Sequence, residues 1–141
     1  MACYDDFNGH AEGSAKTYSL RAHGPAFKLS EHFALIEFAS RDGNDKVLVH
    51  PALVSLLEAV RAHFGKPVRV NSGYRSPAHN RRIGGAKSSR HVMGMAADIM
   101  IKGVTPKQVQ AFVEGLNPGG LGHYMSFTHV DVEGVGRRWA G

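Results

Sequence analysis

The chain is poor in cysteine and tryptophan and has no long apolar run. Cys3 is the only cysteine in 141 residues, so an intrachain disulfide is excluded and a thiolate-built zinc site is disfavoured. No stretch is long and apolar enough to span a bilayer as a helix, so stable membrane insertion is not expected. Internal repeats and low-complexity tracts are absent. Acidic residues are outnumbered, 12 against 17 Lys and Arg, which leaves a net charge of +5. A basic balance favours an anionic partner: a nucleic acid, an anionic wall polymer or an acidic membrane. Nucleic acid is the weakest of these. Arg81-Arg82 and Arg137-Arg138 are only pairs, and no basic stripe is interleaved with aromatics. The length and the 43% hydrophobic content suit one soluble globular domain with a real core.

Residues 1–26 are polar and rich in Gly, Ala and Ser, and read as a loosely ordered arm before a single domain over 27–141. Ser30 is placed to cap a short helix running to Phe38, and Arg41-Asp42-Gly43-Asn44-Asp45 reads as a turn. Pro51 to Phe64 is the clearest helix. Leu53, Leu56, Leu57, Val60 and Phe64 share one face, Pro51 suits the first turn and Gly65 the stop. Val68 to Asn71 reads as a strand, and Asn80 to Ile83 as a short helix. Thr105-Pro106-Lys107-Gln108 is a capping box that opens a helix to Leu116. Strands follow near Gly120–Tyr124 and Phe127–Val132, and Trp139 is expected to pack the C-terminus back onto the domain. This order gives an α+β fold, with helices against a small, mostly antiparallel sheet.

The chemistry concentrates in Ser89-Arg90-His91-Val92-Met93-Gly94-Met95-Ala96-Ala97-Asp98 and in His129-Val130-Asp131. Gly94 permits a sharp turn after His91, and Ala96 to Ile101 reads as a buried strand. A loop ligand and a strand ligand can then converge, joined by His129 from a later strand. His129 and Asp131 share a face by the period of two. A His and an Asp at this spacing also describe a core histidine with its hydrogen-bond partner. With the small residues between them, the pattern favours an open site of two nitrogens and one oxygen, the donor set of a catalytic zinc.

Ser89-x-His91-x-x-Gly94-x-Ala96-x-Asp98 with a late strand histidine resembles the zinc D-Ala-D-Ala carboxypeptidase and L-alanyl-D-glutamate endopeptidase family, peptidoglycan peptidases that share a fold with the Hedgehog signalling domain. The resemblance extends to Val70-Asn71-Ser72-Gly73-Tyr74-Arg75-Ser76-Pro77, to His79–Gly85 and to Phe33–Phe38, and covers roughly residues 27–139. It implies Zn2+ held by His91, Asp98 and His129, and peptidoglycan as the partner of a monomer. It also implies Arg75 at the groove, where its planar fork can hold a substrate carboxylate or carbonyl. The alternative for Arg75 is a structural ion pair.

Hydrolysis needs a proton acceptor. Several members of that family carry Glu or Asp three residues before the last ligand, but Ser126 stands there in this chain. Asp131 is the nearby carboxylate, as base or as a partner that orients an imidazole, and His123 is the next candidate. Tyr74 reads as packing, Ser89 as a loop hydrogen-bonder and His79 as local structure. His10, His23, His32, His50 and His63 read as surface residues. Three functions follow: an endolysin-type endopeptidase, a D-Ala-D-Ala carboxypeptidase or dipeptidase, and a non-hydrolytic Hedgehog-like zinc domain. Met1 to Phe7 lacks a basic and an apolar signal region. The expectation is synthesis in the cytoplasm and access to the wall by phage-type or prophage-type release.

Overall fold

The computed structural model describes residues 15–86 and 89–141. Strand β1 (Lys16–Ser19) leads into a short helix α1 (Leu20–His23), and β1 pairs antiparallel with β2 (Lys46–Val49). Residues 16–23 are therefore structured, although an arm was expected over 1–26; the rest of that arm up to Ser14, Cys3 and His10 included, lies outside the described residues. The predicted helix from Ser30 does not form. The segment instead makes an antiparallel bridge between Lys28 and Ala34, then a 3-10 turn over Leu35–Phe38. The reason is tertiary. The Ser30 hydroxyl donates to the Glu58 carboxylate, and the His32 amide donates to the same group at 2.8 Å, so the would-be cap is engaged elsewhere.

Helix α2 (Pro51–Phe64) matches its prediction and buries Leu53, Val54, Leu56, Leu57, Ala59 and Val60. Gly65 ends it in the left-handed region, at φ 63°. Its N-cap is His50, whose Nδ1 accepts from the Ala52 amide at 3.0 Å. His50 is thus buried, not a surface residue. Strand β3 (Arg69–Ser72) follows. Helix α3 (Pro77–Arg82) starts earlier than expected, because Ser76 caps it and Pro77 fits its first position. Then come β4 (Ala96–Met100), α4 (Pro106–Gly115) behind its Thr105–Gln108 capping box, β5 (Gly120–His123), β6 (Thr128–Asp131) and β7 (Arg137–Ala140).

The main sheet runs β3-β4-β6-β5-β7, antiparallel except for the last pair. The fold is α+β with a small, mostly antiparallel sheet, as expected. One face of the sheet supplies Ala97, Ile99, Leu121 and Val130 to the core shared with α2 and α4. By alternation the other face of β4 presents Ala96, Asp98 and Met100. Direct register puts Asp98 opposite His129 and Ala96 opposite Asp131. The functional side chains therefore stand on the face that the helices leave uncovered.

Candidate metal centre

His91 precedes β4 in a tight turn. Gly94 holds φ 72°, and a Cβ there would meet the Leu48 carbonyl carbon at 2.6 Å, so this position demands glycine. The turn is clamped from two sides. The His50 amide donates to the Gly94 carbonyl at 2.8 Å, and the Arg75 amide donates to the His91 carbonyl at 3.1 Å. The imidazole is fixed as well: its Nδ1 lies 2.8 Å from the Gly73 carbonyl. A carbonyl only accepts, so Nδ1 carries the proton and Nε2 keeps its lone pair. Nε2 lies 3.3 Å from Asp98 Oδ1.

His129 reaches the same point from β6. Its Nδ1 is 3.0 Å from Asp98 Oδ1, and its Nε2 is 2.9 Å from Asp131 Oδ2. Donation of Nε2–H to Asp131 leaves Nδ1 as the ligand atom. One donor atom from each of His91, Asp98 and His129 lies within 4.8 Å of the others. Two imidazole lone pairs and one carboxylate oxygen thus converge, in the proportions of an open catalytic zinc site. Burial alone would raise the Asp98 carboxyl, but contacts with His129 and His91 outweigh it and hold the group well below the usual carboxylate range. Burial alone would lower His129, yet Asp131 and Asp98 hold it above its ordinary value. Carboxylates on both sides of His129 make this a place that favours positive charge.

The structure puts the remaining expected residues in different settings. Arg75 lies in the groove, its Nη2 3.5 Å from Asp98 Oδ2 and its Nε 3.2 Å from Ser72 Oγ. Asp131 has 0% of its surface exposed. One oxygen faces His129, and the other accepts from Arg137 Nη2 and, at 3.2 Å, from the Glu133 amide. Burial opposes its ionisation, but the His129 and Arg137 contacts prevail and hold its pKa down. A carboxylate so enclosed and so fully used is placed to orient His129. His123 does not line this groove. It is exposed in the adjoining cleft beside Glu114 and Lys107. Tyr74 is core, as expected, and Ser89 caps its own loop by accepting from the His91 amide at 3.2 Å.

Several parts of the site were not anticipated. Trp139, in β7, lies with its ring centroid 4.9 Å from that of His129, and its indole N–H donates to the Tyr124 hydroxyl at 3.0 Å. A Cβ at Gly122 would lie 2.6 Å from that indole nitrogen, so a bare β5 backbone is what admits the ring. Arg90 pairs with Glu133 at 2.8 Å and ties the ligand turn to the end of β6. Trp139, Tyr124 and Arg90 help to wall a groove of about 470 Å³ over the triad. The Arg-Arg-Trp cluster after the last ligand was the available signal for Arg137 and Trp139. Its spacing from His129 carries no period that joins them.

Residues 26–133 match the profile of a family described as Peptidase M15. The zinc D-Ala-D-Ala carboxypeptidase of Streptomyces albus G is 40% identical over 98 residues, 63% of this chain and 38% of that protein. The peptidoglycan L,D-endopeptidase MepK of Escherichia coli is 31% identical over 122 residues, 79% of this chain and 66% of that protein. A probable MepK of Haemophilus influenzae is 40% identical over 81 residues, 52% of this chain and 43% of that protein. The chain thus spans from somewhat over a third to just under two thirds of these relatives' lengths.

Proposed function

This chain belongs to the peptidase M15 family, and we propose that it is a zinc-dependent peptidase that hydrolyses peptide bonds in peptidoglycan stem peptides or cross-links. The observation that carries the proposal is the convergence of His91 Nε2, His129 Nδ1 and Asp98 Oδ1 on the floor of an open groove, each imidazole locked in its tautomer by a separate acceptor. These three residues would hold the zinc. When bound, zinc supplies Lewis acidity to a scissile carbonyl and to the attacking water.

The protein's own groups position the substrate and the ligands. Arg75, held by Ser72 and Asp98, presents its remaining donors to a substrate carbonyl or carboxylate. Asp131, charge-balanced by Arg137, fixes the ring of His129 and strengthens it as a donor. Trp139 covers one side of His129 and limits water there.

Endopeptidase action is the favoured form. Tyr124 walls both the metal groove and a neighbouring cleft of about 610 Å³, so a chain can extend past the triad. An endolysin-type role in the bacterial wall belongs to this proposal, and the net charge of +5 suits approach to an anionic wall. Removal of a terminal D-Ala is the second reading, favoured by Arg75 as a carboxylate clamp. Purified peptidoglycan digested with and without chelator, with the fragments identified by mass spectrometry, tests all of this. New amino and carboxyl ends inside the stem peptide support the endopeptidase, and release of D-Ala alone supports the carboxypeptidase. Intact peptidoglycan with zinc bound overturns hydrolysis in favour of a non-hydrolytic, Hedgehog-like domain.

A further inference from the structure

The uncovered face of the sheet does not end at the triad. Met100 follows Asp98 by two residues on β4, so it stands on the same face, about 7 Å further along at ordinary strand rise. Its register partner across β3 is Arg69. Beyond them lies a cleft of about 700 Å³ lined by Lys66, Pro67, Arg69, Met100, Lys102 and Gly103. All six are solvent-exposed, Met100 at 37%.

The charge of this cleft has one sign. Its three cations form no ion pair among the described residues, and no carboxylate lines it. Several arginines elsewhere do pair: Arg21 with Asp45, Arg82 with Asp42, Arg90 with Glu133 and Arg138 with Glu114. Three like charges around one concavity repel one another, and a bound anion relieves that repulsion. Lysines act as adaptable point charges and Arg69 adds a planar fork, a combination suited to oxyanions. An extended peptide advances about 3.3 Å per residue, the rise of the strand beneath it. A peptide lying along β4 from the triad therefore brings its second to fourth residue past the scissile bond to the cleft.

We propose that Lys66, Arg69 and Lys102 form an accessory substrate site that takes a free carboxylate two to four residues from the scissile bond. The inference rests on the peptidase reading above and adds a charge preference to it. The enzyme then distinguishes stem peptides with free carboxyl groups from those in which the same groups are amidated.

The test uses one stem peptide in free-acid and amidated form, with wild-type protein and the triple variant Lys66→Gln/Arg69→Gln/Lys102→Gln. Wild type should favour the free acid by about tenfold in kcat/KM, mainly through KM. The triple variant should lose the preference, and Lys102→Glu should narrow or invert it. Equal preference in wild type and triple variant, or none in wild type, overturns the proposal. Occupancy is read separately from the NMR signal of the Met100 methyl group as each peptide is added. A Met100 shift with the free acid and none with the amide supports the site even if neither peptide is cut, an outcome in which the peptidase reading alone fails. Cleavage of both peptides with Met100 unmoved overturns the site and leaves the peptidase standing.

Discussion

His129 Nε2 lies 2.9 Å from Asp131 Oδ2 while its Nδ1 faces Asp98, so one imidazole joins the ligand cluster to a wholly buried carboxylate. Arg137 closes the chain on the far side of Asp131. The sequence shows His129 and Asp131 two apart on one face, which suits either a base or an orienting partner. Its enclosure supports the orienting role we propose, because a base must reach water.

Asp131→Asn and Arg137→Ala should therefore act on the metal first. The amide is a poorer acceptor for Nε2–H, and the alanine leaves a buried carboxylate without its cation. Zinc affinity should fall about 10- to 100-fold in each, measured by competition with a chromophoric chelator. Unchanged affinity with turnover abolished in Asp131→Asn would assign Asp131 as the base.

Trp139 is the only tryptophan, and its ring centroid is 4.9 Å from that of His129. Its fluorescence should change when zinc is added to metal-free protein and level off at one equivalent. The response should vanish in His129→Ala. A response that persists in that variant would place the metal elsewhere.

Gly94→Ala should destabilise the fold by at least about 2 kcal/mol, since it combines a left-handed backbone with a backbone clash. A Cβ would meet Leu48 backbone atoms at 2.6 Å, where no flexible side chain can give way. Urea unfolding checks this. A midpoint close to that of wild type would contradict the role assigned to the turn.

Asp42 supplies a pH dependence away from the metal. Hydrogen bonds from Ser40 and Ser76 lower its pKa to about 2. Ser76, which donates to Asp42 at 2.6 Å, is also the cap of α3. A carboxyl whose folded pKa is depressed adds stability that is complete above its unfolded value of about 4 and is lost as pH falls through about 2. Asp42→Asn should therefore be less stable than wild type near neutrality, with the gap closing between about pH 4 and 2. A gap that does not vary with pH would contradict this.

What was legible in the sequence was local. α2 and α4 announce themselves through apolar periodicity, an N-terminal proline and, for α4, a capping box. The central strands and His91, Asp98 and His129 were legible because small residues, alternation and ligand types coincide. What was hidden depends on tertiary partners. Ser30 looks like a cap until Glu58 claims it. His50 looks like surface until its ring caps α2. Arg137–Ala140 has no strand pattern and becomes β7 by pairing with β5, which brings Trp139 to His129 and Arg137 to Asp131. His123 is a base candidate from its place on the strand before the last ligand, and the structure leaves it exposed at the end of β5, lining the adjoining cleft.

The central claim is that His91, Asp98 and His129 hold one metal ion. Elemental analysis of purified wild type, His91→Ala and Asp98→Ala, each confirmed folded by circular dichroism, tests it most directly. The account predicts one zinc per chain in wild type and almost none in either variant. Full zinc occupancy in folded His91→Ala would contradict it.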